Sequence, residues 1–293
     1  MSRLEKRFAS LQAAGKKALI PYICAGDPSL ESTVPLLHEL VRSGASAIEL
    51  GMPFSDPMAD GPVIQRASER AISRGSNLDF VFNCVKEFRK TDSDTPIVLM
   101  GYANPVECRG QEAFIRDAAE AGVDGVLIVD YPFDEVPEFY EAVKKAGMDP
   151  IFLLAPTSSD ERVEQVCRLA TGYLYYVSLK GTTGAGNRLD IASVRQNVAR
   201  IERYAKCPVA VGFGISNGET AREIASVCSG VIIGSALIRE MDKTPDDAVG
   251  AAGRCSELPS YSPFRKRAAG AAARFSGLTS GAVRSPARSF WPW

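Results

Sequence analysis

The sequence predicts one α/β domain folded as a (β/α)8 barrel (TIM barrel), and three observations lead to this prediction. Eight short apolar runs recur along the chain, and a stretch with helical character follows each of them. The runs are almost wholly apolar rather than alternating, which is typical of parallel strands covered on both faces. Eight such units fit a closed barrel or an open, doubly wound sheet. The count of eight and the lack of a domain-like break favour the barrel.

The predicted strands lie within residues 1–253, the predicted extent of the barrel domain. They span residues 19–24, 47–50, 97–100, 126–129, 151–154, 174–177, 209–211 and 231–233. The helices between them carry start and stop signals: Pro62 fits a first helical position, and Asn77 and Ser159 fit N-caps. Glycines that fit the left-handed position just past a helix are Gly44, Gly122, Gly147 and Gly172.

Composition excludes several classes of function. The net charge of −1 indicates neither a nucleic-acid partner nor an anionic membrane. The one histidine, His38, lies in a helical stretch, so neither a Ser-His-Asp or Cys-His mechanism nor a metal site is expected. The seven cysteines form no CxxC pair, which argues against a disulfide framework and favours a cytoplasmic location. No secretory signal or membrane span is recognisable.

Two carboxylates are the candidate catalytic residues. The active site of a (β/α)8 barrel lies at the carboxyl ends of its strands. Glu49 lies inside an apolar strand, where burial raises the pKa of a carboxyl group towards the range useful for general acid–base catalysis. Asp60 follows on the long loop after the same strand and is expected to reach over the barrel mouth. The structural alternatives are a Glu49 paired with Lys or Arg, and an Asp60 that caps a turn.

Glycine-rich loops follow the last three predicted strands. The loop at residues 178–188 contains three glycines and two threonines, which suits a lid, although a merely flexible loop is the alternative. Gly212 and Gly214 follow the seventh strand, and Gly234 with Ser235 follows the eighth. Their exposed backbone N–H groups, together with a helix N-terminus, predict a phosphate site. The spacing does not fit a dinucleotide fingerprint.

These motifs together resemble the tryptophan synthase alpha subunit family. The long motif PFSDPMADGP at residues 53–62, preceded by Glu49, is similar to the family's signature. Four further motifs match in the same order: GYANP at 101–105, GTTG at 181–184 with NR at 187–188, GFGI at 212–215 and GS at 234–235. The resemblance covers roughly residues 1–250.

The resemblance implies a lyase that cleaves indole-3-glycerol phosphate to indole and glyceraldehyde 3-phosphate, with no metal or cofactor in this chain. It implies that Glu49 is the general acid–base and that Asp60 lies beside the indole N–H. The expected substrate-binding residues are Tyr22, Met100, Tyr102, Leu127, Tyr175, Thr183, Phe213 and Ile232, several of which also fit an ordinary barrel core. The expected phosphate-binding residues are Gly184, Gly212, Gly214, Gly234 and Ser235.

The resemblance also implies a partner. This is a beta subunit that carries pyridoxal phosphate and condenses indole with serine, in an alpha2beta2 heterotetramer. The residues expected on the contact side are Pro53, Phe54, Asp56, Pro57, Asn104 and Pro132. Because indole is apolar and would diffuse away, direct transfer to a docked partner makes physical sense.

The resemblance ends near residue 253. Residues 254–293 hold seven Lys and Arg against one acidic residue and are rich in Ser, Ala and Pro. We expect this basic tail to be disordered beyond residue 259. No amphipathic last helix is recognisable, so the eighth strand is expected to lack cover.

Three other functions are compatible with parts of the pattern. A Schiff-base aldolase would use Lys180, although that lysine lies past the sixth strand and a catalytic lysine would lie within it. A catalytically silent, phosphate-binding regulatory subunit would follow if the altered C-terminus abolished the chemistry. A stand-alone lyase would need no partner, which the presence of Asp56 and Pro57 disfavours.

Overall fold

Strand segments pair side by side into one parallel sheet in the computed structural model, which describes residues 1–178, 190–212, 215 and 218–257. The nine segments in these ranges are β1 (Ala18–Cys24), β2 (Ile48–Gly51), β3 (Ile97–Gly101), β4 (Gly125–Ile128), β5 (Asp149–Pro150), β6 (Phe152–Leu154), β7 (Leu174–Val177), β8 (Val209–Gly212) and β9 (Gly230–Ile233). Their order in the sheet is β5-β4-β3-β2-β1-β9-β8-β7-β6.

The two ends of this sheet belong to one strand. Only Ile151 separates β5 from β6, and its N–H donates to the Val126 carbonyl at 2.9 Å. Since β5 pairs with β4 and β6 pairs with β7, the sheet closes on itself as an eight-stranded barrel. The predicted (β/α)8 barrel is therefore confirmed, and the open sheet is excluded. The predicted strand at residues 151–154 begins two residues earlier and is interrupted at Ile151.

Helices cover the outside of the barrel. Those in the described ranges are α1 (Arg3–Ala13), α2 (Thr33–Arg42), α3 (Pro62–Ser73), α4 (Leu78–Arg89), α5 (Ala103–Arg109), α6 (Gln111–Ala121), α7 (Pro137–Lys145), α8 (Asp160–Leu169), α9 (Ile191–Glu202), α10 (Gly218–Ala225), α11 (Ser235–Lys243) and α12 (Ala248–Glu257). A 3-10 turn at Pro245–Asp247 precedes α12. None of the helices in the described part of the chain is both long and apolar enough to cross a membrane.

The predicted helix boundaries agree with the structure. Asn77 Oδ1 accepts a hydrogen bond from the Phe80 N–H at 2.9 Å, and Ser159 Oγ accepts one from the Arg162 N–H at 3.2 Å. Pro62 is the first residue of α3. All four predicted stop glycines have positive φ: Gly44, Gly122, Gly147 and Gly172. His38 is structural, because its ring stacks on Phe88 at 4.8 Å.

Helix α1 closes the end of the barrel at which the strands begin. Leu4 and Phe8 point into the barrel interior, where the Phe8 ring lies 5.8 Å from that of Tyr173. The apolar side chains that fill this interior form one cluster, and a second, larger cluster lies between the strands and the helices. The interior is therefore packed at the bottom, which leaves the opposite end for a site.

Asp124 anchors α1 from below. Its carboxylate is buried and accepts hydrogen bonds from Arg3 Nη1 at 2.8 Å, from Arg89 Nη2 at 2.6 Å and from the Ile97 N–H at 2.8 Å. Arg89 also donates to the carbonyl of Thr95 at 2.7 Å. One carboxylate thus joins α1, α4 and the start of β3 through charge-assisted hydrogen bonds.

The barrel does have a closing helix, α12. Strand β9 is buried throughout and α10 packs on it, so the expectation that it would lack cover was wrong. Helix α12 packs on α2, and its residues Ala248, Ala251 and Ala252 are buried. The helix was missed because its buried face is built mainly of alanine, which makes the amphipathic pattern faint. Helix α12 continues to residue 257. Residues 258–293 of the predicted tail (254–293) lie outside the described residues, so the disorder expected beyond residue 259 stays a prediction.

Candidate active site

A cavity opens at the carboxyl ends of the strands. It encloses about 730 Å³, including the part that is open to solvent, which suits a small ligand. Its lining combines carboxylates, tyrosines, apolar side chains and the N-termini of two helices, α3 and α11. The lining residues are Tyr22, Glu49, Asp60, Gly61, Pro62, Val63, Ile64, Met100, Tyr175, Ile215, Ile232, Gly234, Ser235 and Arg239. Both predicted carboxylates therefore border one cavity.

Glu49 is fully buried on β2 at the inner end of this cavity. Its Oε1 accepts a hydrogen bond from Tyr173 Oη at 2.5 Å, whereas Oε2 has no hydrogen-bond partner within the described part of the chain. Burial raises the pKa of Glu49 to about 8, although the Tyr173 hydrogen bond lowers it. The carboxyl therefore exchanges its proton near physiological pH. The alternative of a Lys or Arg partner does not hold among the described residues.

Two tyrosines approach Glu49 from the opposite side of the barrel. Tyr173 and Tyr175 flank Leu174 and both point inwards, because successive side chains of a strand alternate. Strand β7 lies four places from β2 in the ring of eight, so the Tyr173 hydroxyl reaches Glu49 straight across the interior. Tyr173 was not among the predicted site residues. Tyr175 lines the cavity as predicted.

Glycines make room for the tyrosine rings. A Cβ atom on Gly212 would lie 2.2 Å from Tyr175 Oη, and a Cβ on Gly51 would lie 2.2 Å from Tyr22 Oη. Each tyrosine ring thus lies over a glycine of the neighbouring strand. A larger residue at either glycine would displace the tyrosine ring. Gly212, predicted to bind phosphate, does not line the cavity and has this packing role in the structure.

Asp60 is held at the cavity mouth by Tyr102. The Tyr102 hydroxyl donates to Asp60 Oδ2 at 2.9 Å and accepts from the Ala59 N–H at 3.2 Å. Desolvation raises the pKa of Asp60, and the Tyr102 hydrogen bond opposes that rise. Tyr102 itself does not line the cavity and positions the loop instead. Its ring also packs 5.5 Å from that of Phe54, at the start of the same loop.

The other end of the cavity is the N-terminus of α11. Gly234 precedes the helix and Ser235 begins it, and both line the cavity. The first N–H groups of a helix have no partner within the helix, and its dipole favours negative charge there. This end therefore suits an anionic group. Met100 and Ile232 provide apolar wall between the two ends, whereas Leu127 is buried in the interior cluster below.

An ion-pair network joins the two helices that flank the cavity. Arg70 on α3 donates to Asp27 through Nε at 2.7 Å and through Nη2 at 2.9 Å. Its Nη2 also lies 2.8 Å from the Asp242 carboxylate on α11. The helix that follows the Asp60 loop is thereby tied to the helix that begins at Ser235. No group of three His, Cys, Asp or Glu that could hold a metal is found where the structure is described.

Comparison with known proteins agrees with this geometry. The family model of the tryptophan synthase alpha chain matches residues 8–264. The chain belongs to the tryptophan synthase alpha chain family. A tryptophan synthase alpha chain from Azoarcus sp. (strain BH72) is 58% identical over 245 residues, which cover 84% of this chain and 90% of the relative.

Solved structures of the family show the same fold. The crystal structure of tryptophan synthase subunit alpha from Legionella pneumophila str. Paris superposes with a TM-score of 0.83 at 42% identity, covering 90% of this chain and 98% of that chain. A tryptophan synthase complex from Pyrococcus furiosus superposes with a TM-score of 0.74 at 38% identity, covering 83% and 97% of the two chains. The chain is accordingly a (β/α)8-barrel lyase of tryptophan biosynthesis.

The family's expected contact side lies next to the Asp60 loop. Asp56 and Asn104 are exposed, and Pro53, Phe54 and Pro132 are half-buried. Pro57 is buried by its own chain, so it supports the loop rather than offering a surface. Met58, which was not predicted, is 77% exposed at the tip.

Several predicted residues lie outside the described residues. They are Lys180 and Thr183 with Gly184 in the loop after β7, and Phe213 with Gly214 after β8. Six lining residues were not among the predicted site residues: Gly61, Pro62, Val63, Ile64, Ile215 and Arg239. Val63, Ile64 and Arg239 lie within helices, where a position in the sequence does not by itself say which face borders the site. Ile215 belongs to the GFGI motif at residues 212–215, whose other three residues were the ones predicted to form the site.

Proposed function

We propose that Glu49 and Asp60 carry out the lyase reaction of the family, the cleavage of indole-3-glycerol phosphate to indole and glyceraldehyde 3-phosphate. The observation that carries the proposal is the buried Glu49 carboxyl, with one oxygen unpartnered among the described residues, in the same cavity as Asp60. The helix N-terminus at Ser235 offers a phosphate position at the other end.

The reaction needs one proton delivered and one proton removed. As the bond between indole C3 and the glycerol chain breaks, C3 must gain a proton, because a C3 carbanion is a poor leaving group. The hydroxyl on the adjacent glycerol carbon must lose a proton to become the aldehyde. Glu49 exchanges both protons in turn, since its pKa near 8 makes each protonation state accessible. No net proton is consumed, and no redox cofactor is needed.

Asp60 acts on the indole ring. Protonation of C3 places positive charge on the ring system, and a carboxylate beside the ring N–H stabilises that charge. Tyr102 keeps the Asp60 carboxylate in place by donating a hydrogen bond at 2.9 Å. Tyr22, Met100, Tyr175 and Ile232 form the walls of the indole pocket, where a flat apolar ring replaces water. Thr183, Gly184, Phe213 and Gly214 stay predicted binding residues.

We also propose a beta-subunit partner that carries pyridoxal phosphate and receives indole. The support is the family and the exposed loop beside Asp60, including Asp56 and Met58. Six cysteines, Cys24, Cys84, Cys108, Cys167, Cys207 and Cys228, are free thiols, which agrees with a cytoplasmic location.

The test of the proposed function is indole release from indole-3-glycerol phosphate, with and without a tryptophan synthase beta subunit. We expect release by the chain alone and a higher rate with the partner. Borohydride added with substrate should trap no adduct, and Lys180→Ala should retain activity. A wild-type chain that is folded by circular dichroism and releases no indole would favour the silent regulatory subunit. A trapped adduct at Lys180 would favour the aldolase.

Tyr173→Phe is expected to shift the pH dependence of the reaction. The lost hydrogen bond favoured ionised Glu49, so the pKa of Glu49 should rise further above 8. Because Glu49 must first deliver a proton to C3, the free enzyme must hold a protonated Glu49, so the basic limb of the kcat/KM profile should move up by about one pH unit. The measurement is kcat/KM for indole release between pH 6 and 10.

Tyr176→Phe is the matched control for this shift. Tyr176 lies on the same strand and is equally buried, but it faces the helix layer and does not contact Glu49. Loss of the Tyr176 hydroxyl should leave the midpoint of the basic limb in place. An unchanged midpoint in Tyr173→Phe would show that the Tyr173 hydrogen bond does not set the ionisation of Glu49.

A further inference from the structure

The charges around the cavity are distributed unevenly. Glu49 and Asp60 lie at the inner end and at the mouth, and Arg239 is the one cationic side chain that lines the cavity in the described part of the chain. Neither carboxyl group attracts a phosphate dianion, and an ionised one repels it. A cation at the end that Gly234 and Ser235 line therefore determines to a large extent where that dianion binds.

Arg239 belongs to the helix that forms the phosphate end. It lies four residues after Ser235 in α11, so both residues lie on the same face of the helix, one turn apart. Side chains of a helix tilt towards its N-terminus, which directs the stem of Arg239 back towards Ser235. The reach of an arginine side chain covers one helical turn, so its guanidinium can approach an anion at the helix N-terminus.

The guanidinium of Arg239 is not engaged elsewhere among the described residues. The neighbouring cations are engaged: Arg70 binds Asp27 and Asp242, and Lys243 of the same helix pairs with Glu240 at 2.6 Å. Arg239 is exposed and is the cation of this group that makes no ion pair or hydrogen bond with residues that the structure describes. Binding an anion would therefore break no existing interaction of this side chain.

We propose that Arg239 is a further substrate-binding residue that contacts the phosphate group and sets the orientation of the substrate. This inference rests on the proposed function. The guanidinium and the N-terminus of α11 hold the dianion at one end, which leaves the apolar ring to the end that Glu49 and Asp60 line. Arg239 acts on binding and orientation, and it does not take part in proton transfer.

The reverse reaction separates phosphate binding from ring binding, because indole and glyceraldehyde 3-phosphate are then two substrates. Arg239→Ala should raise the KM for glyceraldehyde 3-phosphate about three- to tenfold at low ionic strength. The KM for indole and kcat should stay within about twofold of wild type. Arg239→Lys should recover part of the loss, since it keeps the charge without the planar fork.

Arg203→Ala is the matched control. Arg203 is also exposed, but it is the C-cap of α9, at the end of the barrel where the strands begin. The substitution removes the same charge from the molecule as Arg239→Ala does, but at a residue that does not line the cavity. Its KM for glyceraldehyde 3-phosphate should equal that of wild type. The wild-type KM should rise with salt, and that rise should be weaker in Arg239→Ala than in Arg203→Ala.

Calorimetric binding of glycerol 3-phosphate tests the inference without relying on activity. The affinity should fall about three- to tenfold in Arg239→Ala and stay unchanged in Arg203→Ala. Equal affinities in wild type and Arg239→Ala would overturn the inference, whether or not the chain releases indole. A wild type that binds glycerol 3-phosphate through Arg239 but releases no indole would instead overturn the proposed function alone.

Discussion

Glu49→Gln is expected to lose nearly all indole release while gaining stability. Glutamine keeps the size of the side chain and can occupy the same buried place, but it neither accepts nor delivers the two protons of the reaction. Loss of general acid–base catalysis should lower kcat by about 10²- to 10⁴-fold. Partner stimulation should not rescue this loss, because the missing group lies in this chain.

The gain in stability follows from the raised pKa. Glu49 has a pKa of about 8 in the folded chain against an ordinary value of 4.5, so the folded chain retains a proton that the unfolded chain releases. The free energy of unfolding therefore falls as the pH rises from about 4.5 to 8. Glutamine does not ionise, so the variant should be more stable than wild type above pH 5, by on the order of 1–3 kcal/mol at pH 8.

Urea denaturation between pH 4 and 8.5, run beside the indole assay, measures both effects. The difference in stability should vanish at pH 4, where Glu49 is protonated in both states. Glu120→Gln, exposed on α6, is the control and should match wild type in both readouts. A variant that retained a tenth or more of the activity would remove Glu49 from the mechanism.

Asp124→Ala is expected to lower the free energy of unfolding by about 3–5 kcal/mol, because it leaves the largely buried Arg89 and the partly exposed Arg3 with no anionic partner. The Asp124 side chain is 4% exposed and binds Arg3, Arg89 and the Ile97 N–H. These contacts hold α1 in the floor of the barrel, so the helix should detach first. Proteolysis within residues 1–17 should then become faster.

The matched control for Asp124 is Asp94→Ala. Asp94 also pairs with an arginine, Arg7 on α1, at 2.8 Å, but its side chain is 86% exposed. Solvent already screens that pair, so its loss should change the urea midpoint little. Equal effects of the two substitutions would show that the buried network does not contribute more than a surface pair.

Local patterns in the sequence were sufficient to predict most of the barrel and both carboxylates. Apolar runs separated by helical stretches predict parallel strands, and chain order then predicts which strands are neighbours. Glu49 stands out because a charged residue inside an apolar run needs a special reason. The Asp60 loop was recognisable from its motif. These features depend on residues that are close together in the chain.

Features that depend on distant segments were missed. The hydrogen bond between Tyr173 and Glu49 joins residues 124 positions apart and exists only because the closed sheet puts β7 opposite β2. Helical periodicity places Arg239 on the same face as Ser235, but it does not show that this face borders a cavity. Helix α12 was missed for a different reason, since alanines give little hydrophobic contrast.

The pairing of β1 with both β2 and β9 has a consequence for the chain as the ribosome makes it. Strand β1 emerges early, yet its second edge is covered only when residues 230–233 have been synthesised. Until then both outer strands of the partial sheet present unpaired backbone groups, and such edges are templates for association with other chains. Helix α12, which packs on α2, is made later still. Nascent chains of this protein therefore expose edges prone to association until residues 230–257 have been synthesised.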